Sequence, residues 1–396
     1  MQRIIATALC LLLMLSLAAC QSSNSPLETA PPSSKPGVVP EGNTDAPLHT
    51  FYAVSVPSQV EYLYNEEGIL LFEYAYQHIQ MHIADPAVSD RITLDFLSRV
   101  DSTRENANTV AQQAKDNYDG STNWSAYKYR VYYSPTRIDQ GIISLFGTRS
   151  SYTGGLHPDQ GGMSVTYDAA NGEYLTLGSI LKHVDNKEDV CSLVLDHLED
   201  LDYQYSLFDG YENIVKDRFN TDESIDEAFY FTSTGLCFYF APYELAPFST
   251  GIVTVEIPYN ELSGILNDAY FPDEYQPSTG KLIAENAEDA DISKFEQLME
   301  VVLHPQGKQV LLYSDRTVRG LTITSGSWTP DGLYFLPDYV VFSATGVSNE
   351  KAIIVRMAIP DMLPELMVSY ETADGVENYY LSKNSETGFI SLLAVE

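Results

Sequence analysis

The chain alternates between apolar and polar positions over residues 59–81. Residues 59–64 and 70–76 carry aromatic and aliphatic side chains at every second position, and residues 65–68 between them read Asn-Glu-Glu-Gly. Alternation with a period of two is typical of a half-buried strand. A short connection that contains Asn and Gly is typical of a hairpin. The pattern therefore predicts a β-hairpin in this part of the chain.

A different spacing follows the hairpin. Residues 89–118 place apolar side chains three and four positions apart, with an interruption near Asp101, which predicts one long helix or two consecutive helices. Residues 127–133 and 141–148 alternate again and predict two strands. Residues 134–137, Ser-Pro-Thr-Arg, are expected to join them as a turn.

The same alternation of strands and helices continues beyond residue 163. Residues 163–167 and 173–177 flank the turn sequence Asp-Ala-Ala-Asn-Gly and predict a second hairpin. An α+β fold is expected, with a mainly antiparallel sheet and packed helices. The remaining predicted elements are helices at 190–201 and 214–219 and strands at 228–232, 236–240 and 252–257.

The last third of the chain predicts a smaller β-rich domain over residues 289–396, after a linker at 273–288. Phe295, Leu298, Met299 and Val302 have the spacing of a helical face. No motif in this domain assigns a function. Its predicted strands are 309–313, 321–325, 339–343, 352–357, 366–370 and 379–382.

The first twenty residues predict export. Arg3 precedes an apolar run over residues 4–17, which ends in Leu-Ala-Ala-Cys at Cys20. This order is typical of a signal peptide (residues 1–19) with a lipoprotein cleavage site, and a diacylated Cys20 would anchor the chain to the outer face of the bacterial cytoplasmic membrane. The alternative is an ordinary signal peptide with a chance cysteine.

Composition divides the rest of the exported chain. Residues 20–48 are rich in Ser, Pro, Asn and Thr, which predicts a disordered tether behind the lipidated cysteine. The α+β part is expected at 49–272, in halves of about 49–150 and 151–272. Of the other cysteines, Cys191 and Cys237 could form one disulfide or remain two separate thiols.

The charge of the chain is strongly negative, with 55 acidic against 22 basic residues and a net charge of −33. Such a charge repels nucleic acid and favours cationic partners; general solvation of an acidic protein is the alternative. Acids concentrate between residues 196 and 227, which predicts a surface facing a cation. They are Asp196, Glu199, Asp200, Asp202, Asp209, Glu212, Asp217, Asp222, Glu223, Asp226 and Glu227.

Three segments carry a family resemblance. They are Tyr-Thr-Gly-Gly-Leu-His at 152–157, the strand and Pro-Tyr-Glu sequence at 231–244, and Gly-Ile-Val-Thr-Val-Glu-Ile-Pro at 251–258. With them, residues 51–270 resemble the ectodomain of RsiV-like anti-sigma factors, of the domain of unknown function 3298 type with its N-terminal companion domain. The resemblance implies a role at the cell wall, where one member binds lysozyme and others carry peptidoglycan deacetylases.

The chain departs from both settings of that family. A lipid anchor replaces the membrane-spanning helix, so anti-sigma activity is not expected. After Gly280 there is no Asp-Asp-Gly with paired zinc histidines, so deacetylase activity is not expected either. The resemblance instead implies a non-catalytic module that binds a cationic protein such as lysozyme or a wall glycan; the alternative is a wall-modifying hydrolase or an accessory domain of one.

Candidate binding residues come from the family segments and from the acidic stretch. Gly154 and Gly155 admit a sharp turn, and His157 could lock that turn, which is the favoured role, or contact a ligand. His78 and His82 lack a third ligand, so neither a metal nor a cofactor is expected. No nucleophile motif stands out. The candidates are Gly154, Gly155, His157, Tyr243, Glu244, Asp196, Glu199, Asp200, Asp202 and Glu212.

Overall fold

A computed structural model describes residues 28–29, 53–55, 58–77, 80–83, 85–220, 225, 228–272, 278–304, 306–329, 335–359, 365–372 and 375–395. The predicted signal peptide, Cys20 and His78 lie outside these residues. Strands make up 44% of the chain and helices 25%, with several antiparallel sheets. The predicted combination of helices with antiparallel sheets is therefore confirmed.

The elements are numbered in chain order. The helices are α1 (Pro86–Asn117), α2 (Leu177–Ile180), α3 (Asn186–Tyr205) and α4 (Tyr211–Asn220). The strands are β1 (Glu28–Thr29), β2 (Ala53–Ser55), β3 (Ser58–Tyr64), β4 (Leu70–Gln77), β5 (Gln80–His82), β6 (Tyr127–Ile138), β7 (Ile142–Tyr152), β8 (Asp159–Asp168), β9 (Phe229–Phe231), β10 (Gly235–Phe240), β11 (Val253–Pro258), β12 (Leu282–Asn286), β13 (Gln297–Val302), β14 (Lys308–Ser314), β15 (Val318–Trp328), β16 (Phe335–Val347), β17 (Lys351–Met357), β18 (Leu366–Thr372), β19 (Gly375–Lys383) and β20 (Ile390–Ala394).

The first sheet has six strands in the order β1-β3-β4-β6-β7-β8. All its pairs are antiparallel except β4 with β6, which run parallel. The predicted hairpin of β3 and β4 is confirmed, and Asn65 closes its turn by accepting hydrogen bonds from the backbone N–H groups of Glu67 and Ile69. The short strand β1 pairs with β3. Strand β1 lies within residues 20–48, which were predicted as a disordered tether, so that prediction is wrong for residues 28–29.

Helix α1 covers one face of this sheet, against β4 and β6. Its start follows the usual capping rules, because the Asp85 carboxylate accepts a hydrogen bond from the N–H of Ala87 and Pro86 occupies a position that needs no N–H donor. The helix continues through Asp101 as a single element, and it buries Ile92 and Phe96 in the core. The first of the two predicted alternatives, one long helix, is therefore the one formed.

One predicted turn and one predicted strand differ from the structure. The expected turn at 134–137 is wrong, because β6 runs through these residues and takes up Pro135 at a bulge in its pairing with β7. The chain turns later, where the Asp139 carboxylate accepts hydrogen bonds from the N–H groups of Gly141 and Ile142. The second strand of the predicted hairpin at 173–177 is reduced to a single bridge from Tyr174 to Tyr167.

The second sheet has three antiparallel strands, with β10 between β9 and β11. Every residue of β10 is buried. Helix α3 packs against β11 and against α4. The predicted helices at 190–201 and 214–219 are confirmed as α3 and α4. Their apolar faces form a core cluster with the sheet, which includes Val190, Val194, Leu198, Val215, Phe219, Phe238, Phe240 and Val255.

The C-terminal strands form two further sheets, in the orders β12-β14-β17-β13-β2-β5 and β16-β15-β18-β19-β20. The helical face predicted from Phe295 to Val302 is wrong, because residues 297–302 form β13. This strand lies between β17 and β2, parallel to both. A central strand is buried on both faces, so its apolar run imitates a helical spacing. Strand β12 lies inside the range predicted as a linker.

A single core cluster joins the first sheet to the C-terminal sheets. Strands β2 and β5, from the N-terminal part of the chain, complete the sheet of β13. Strand β16 packs against β6. Apolar residues of both parts are buried in the same cluster. They include Phe72, Tyr74, Phe96 and Val131 from the N-terminal part and Val301, Ile323, Phe342 and Val368 from the C-terminal part.

Candidate functional site

The loop between β7 and β8 carries the Gly-Gly-Leu-His sequence. Gly154 has φ +91°, a backbone conformation that residues other than glycine rarely adopt. A Cβ at Gly155 would have no contact closer than 3.7 Å, so packing does not require glycine there. Leu156 is fully exposed at the tip of the loop. The sequence of this loop therefore presents an apolar side chain directly to solvent.

The turn after β10 carries the Pro-Tyr-Glu sequence. Tyr243 has φ +68° and is 61% exposed, while hydrogen bonds from Tyr243 N to Ala246 O and from Glu244 N to Ala241 O hold the turn. The Glu244 carboxylate accepts from Ala241 N at 2.7 Å and pairs with Arg218 at 2.6 Å. Glu244 therefore stabilises the turn and holds it against α4 through Arg218. The Tyr243 side chain is mostly exposed to solvent.

These two loops meet through aromatic rings. The ring of His157 stacks on Phe248 with centroids 3.8 Å apart and planes inclined by 23°. The Tyr243 ring lies 5.5 Å from Phe248 and 6.4 Å from His157. His157 is exposed, and its Nδ1 lies 3.2 Å from the carbonyl oxygen of Pro158. We call Leu156, His157, Tyr243 and Phe248 the loop cluster.

The acidic helices adjoin the loop cluster. The connection between α3 and α4 reaches the turn through a hydrogen bond from Phe208 N to Leu245 O, and α4 reaches it through Arg218 and Glu244. The predicted acids Asp196, Glu199 and Asp200 are exposed on α3. Glu212 is exposed in the first turn of α4, and Asp202 also lies on α3. The exposed acids therefore belong to two helices that are tied to the Pro-Tyr-Glu turn, through their connection and through Arg218.

Sequence reasoning did not select three residues that shape this site, namely Phe248, Arg218 and Leu156. Phe248 lies in a 3-10 helix (Phe248–Thr250) beyond the family segment, and only the tertiary fold brings it under His157. Arg218 was not selected, because its pairing with Glu244 depends on the tertiary fold. Leu156 lies in the Gly-Gly-Leu-His segment. A large apolar residue between two glycines and a histidine could have indicated an exposed apolar side chain there.

The two remaining cysteines are free thiols in this structure. Cys237 is buried on β10, where burial raises the pKa of its thiol well above the ordinary value. Cys191 is half-buried on α3, and burial raises the pKa of its thiol as well. Of the two alternatives drawn from the sequence, this structure has the two separate thiols, one on a strand and one on a helix.

The described residues hold neither a metal-binding cluster nor a helix suited to a membrane. They contain no group of three or more His, Cys, Asp or Glu side chains arranged to hold a metal ion. Across the same part of the chain, no helix combines the length and the apolar character that a bilayer crossing requires.

Comparison with known protein families identifies one domain in the chain. Residues 193–260 match the family described as a protein of unknown function, DUF3298, so the chain contains a DUF3298 domain. The match extends from α3 to just beyond β11 and includes Tyr243, Glu244 and Phe248. The loop with His157 precedes it. No curated protein matches the chain.

Two solved structures of DUF3298 family proteins are similar to this chain. One is from Bacteroides fragilis, with 16% sequence identity and a TM-score of 0.39; the match covers 55% of this chain and 94% of that one. The other is from Pseudomonas aeruginosa PAO1, with 17% identity and a TM-score of 0.35, and the match covers 58% of this chain and 98% of that one.

Proposed function

We propose that this chain is a lipid-anchored protein on the outer face of the bacterial cytoplasmic membrane, and that it binds a cationic protein at the cell wall without catalysing a reaction. The loop cluster beside the acidic helices is the observation that carries this proposal. Exposed apolar and aromatic side chains on two adjoining loops are typical of a surface that binds a partner.

The parts of the site have separate physical roles. Tyrosine is enriched among the residues that dominate binding energy, since its ring buries a large area at a small entropic cost. Leu156 and Tyr243 would supply that burial. The exposed carboxylates of α3 and α4 would act over a longer range, because complementary charge raises association rates and salt screens it.

The family resemblance suggests which partner to test first. The Gly-Gly-Leu-His and Pro-Tyr-Glu segments resemble those of RsiV-like ectodomains, one of which binds lysozyme. Those two segments carry three members of the loop cluster, Leu156, His157 and Tyr243. A basic, lysozyme-like hydrolase is therefore the partner we propose, and a wall glycan is the other outcome to be tested with the same variants.

Binding of lysozyme to the mature chain is expected to depend on the Tyr243 ring. The substitution Tyr243→Asn removes the ring while keeping a residue type that tolerates positive φ. We expect affinity to fall by about thirtyfold, which corresponds to about 2 kcal/mol for a central aromatic contact. Titration calorimetry would measure it. Tyr64→Asn is the matched control, because Tyr64 is an exposed tyrosine of β3 and belongs to neither loop.

The acidic helices are tested with the same assay. The double variant Glu199→Gln, Asp200→Asn should slow association and flatten its salt dependence, whereas the exposed pair Glu66→Gln, Glu67→Gln should leave both unchanged. If lysozyme is not retained at low salt, or if Tyr243→Asn and Tyr64→Asn bind equally, the binding site is wrong. Release of soluble fragments from isolated cell walls would instead favour the hydrolase.

The anchor has its own expected result. Substitution Cys20→Ser removes the thiol that would be diacylated, so the protein should move from the membrane fraction to the soluble fraction and lose incorporation of labelled palmitate. The control is Cys10→Ser, which lies within the apolar run of the signal peptide and should change neither readout. A Cys20→Ser protein that stays with the membrane and keeps the label would contradict lipid anchoring.

A further inference from the structure

The first sheet has one face against α1 and one face away from it. On the α1 side, the Arg104 guanidinium lies 5.4 Å from the ring centre of Tyr74 and 5.1 Å from that of Tyr76. Glu73 alternates with Tyr74 along β4, so its side chain lies on the other side of the sheet. We call that side the outer face of the first sheet.

A row of four side chains crosses the outer face. Tyr62 of β3 is paired with Glu73 of β4, and Glu73 is paired with Lys128 of β6. Lys128 is in turn paired with Tyr152, the last residue of β7. Paired residues of neighbouring strands share a face. Neighbouring strands lie about 4.8 Å apart, so the two tyrosines, three strands apart, are separated by about 14 Å.

The two tyrosines at the ends of this row are accessible. Tyr62 and Tyr152 are both partly exposed, and in the part of the chain that the structure describes neither hydroxyl makes a hydrogen bond. A phenol of this kind offers a flat apolar surface together with one donor and one acceptor. The row therefore has an amphipathic ring at each end.

An ion pair occupies the middle of the row. Arg130, two residues beyond Lys128 on β6, donates to the same oxygen of Glu73 from Nε at 3.0 Å and from Nη2 at 2.7 Å. The second oxygen of Glu73, Oε2, accepts no hydrogen bond from any described residue, and the Lys128 ammonium group donates none to them. The ion pair therefore stays intact while an acceptor and a donor remain available between the two rings.

The charge of the row differs from that of the acidic helices. Two cations, Lys128 and Arg130, and one anion, Glu73, give the row one positive charge in a chain of net charge −33. The row does not attract a cationic protein, and the chain as a whole repels a polyanion. An uncharged ligand meets neither obstacle. A sugar combines a C–H face, which packs on a phenol ring, with hydroxyl groups that donate and accept hydrogen bonds.

We propose that the outer face of the first sheet binds an extended, uncharged oligosaccharide. Its terminal rings pack on Tyr62 and Tyr152, and hydroxyl groups between them bond to Glu73 Oε2 and to Lys128. Because the two tyrosines are about 14 Å apart, a single sugar ring does not reach both. The affinity therefore depends on the length of the ligand. The site shares no residue with the loop cluster.

Titration calorimetry of the full mature chain tests the proposal with chitotetraose, cellotetraose and their monosaccharides, N-acetylglucosamine and glucose. At least one tetrasaccharide should bind about tenfold more tightly than its own monosaccharide, or tighter still. The comparison of the two tetrasaccharides identifies whether acetamido groups are recognised. The proposal is overturned if neither tetrasaccharide binds, or if each binds no more tightly than its monosaccharide.

Variants connect binding to the outer face. Tyr62→Ala and Tyr152→Ala should each weaken the better tetrasaccharide about tenfold, since each removes one packing surface, whereas Tyr62→Phe keeps the ring and should retain most of the affinity. Phe389→Ala is the matched control, because Phe389 is a 57% exposed aromatic residue between β19 and β20. Circular dichroism checks that each variant is folded.

Equal affinities for Phe389→Ala and for a folded alanine variant of Tyr62 or Tyr152 would also overturn the proposal. Lysozyme is absent from these titrations, so the failure of this site and the failure of lysozyme binding are separate results.

Discussion

A chain that ends after residue 272 is expected to lose the ordered structure of the first sheet and of α1. Their core cluster is completed by C-terminal residues, among them Val301, Ile323 and Phe342, each 0% exposed. A fully buried side chain of this kind contributes about 1.5–3 kcal/mol. Several of them together are comparable with the about 5–15 kcal/mol that separates a folded domain from its unfolded state.

Hydrogen exchange followed by mass spectrometry measures this loss element by element. Amides of β4 and β6 should lose most of their protection in the truncated chain, since both strands belong to the shared cluster. Amides of β10 and β11 are the internal control, because their side chains pack in a separate cluster with α3 and α4. Unchanged protection of β4 and β6 would mean that the two parts fold independently.

The substitution Arg104→Met is expected to destabilise the protein by about 3 kcal/mol, the lower end of the range for breaking a buried ion pair, because Arg104 is about one third exposed. The Glu61 side chain is 4% exposed and accepts two hydrogen bonds of 2.7 Å from Arg104 and one of 3.0 Å from Tyr76. Removal of the guanidinium leaves a buried carboxylate without its cation. Urea denaturation measures the change.

Two further variants separate the buried charge from other effects. The double variant Glu61→Leu, Arg104→Met should recover most of the lost stability, since no charge then remains unpaired and Tyr76 keeps its hydrogen bond to Gln59. Arg91→Met is the matched control on the same helix, where an exposed pair with Glu173 at 4.0 Å should contribute less than about 1 kcal/mol. A double variant as unstable as Arg104→Met would contradict this account.

Local patterns in the sequence predicted the elements that depend on near neighbours. The spacing of Ile92, Phe96 and Val100 predicted α1, and the alternation around Asn65 predicted the hairpin of β3 and β4. The error at β13 has a physical cause: Leu298, Met299, Val301 and Val302 are all buried, because the strand is covered on both faces. A short segment that is mostly apolar, interrupted here only by Glu300, is compatible with a helix or a strand.

In the candidate site, too, only the features that depend on near neighbours could be predicted from the sequence. Glycine at position 154 and the Pro-Tyr-Glu sequence could be selected from local sequence, since both signal unusual backbone conformations. The stacking of His157 on Phe248 could not, because residues far apart in sequence meet only after the second sheet has packed against β7 and β8. The pairing of Glu244 with Arg218 was hidden for the same reason, which is why a fixed structural carboxylate stood among the binding candidates.

The pairing of β2 with β13 limits the order in which the protein can fold while the chain is made from its N-terminus. Strands β2 and β5 can pair with each other early. Val54 of β2 also pairs with Val301, so the other edge of β2 has no partner until most of the chain has been made. Contacts of such long sequence separation form late. The second sheet has all its strands by residue 258, so it can form earlier with its helices. The edge of β2 that pairs with β13 stays unpaired until the last third of the polypeptide is present.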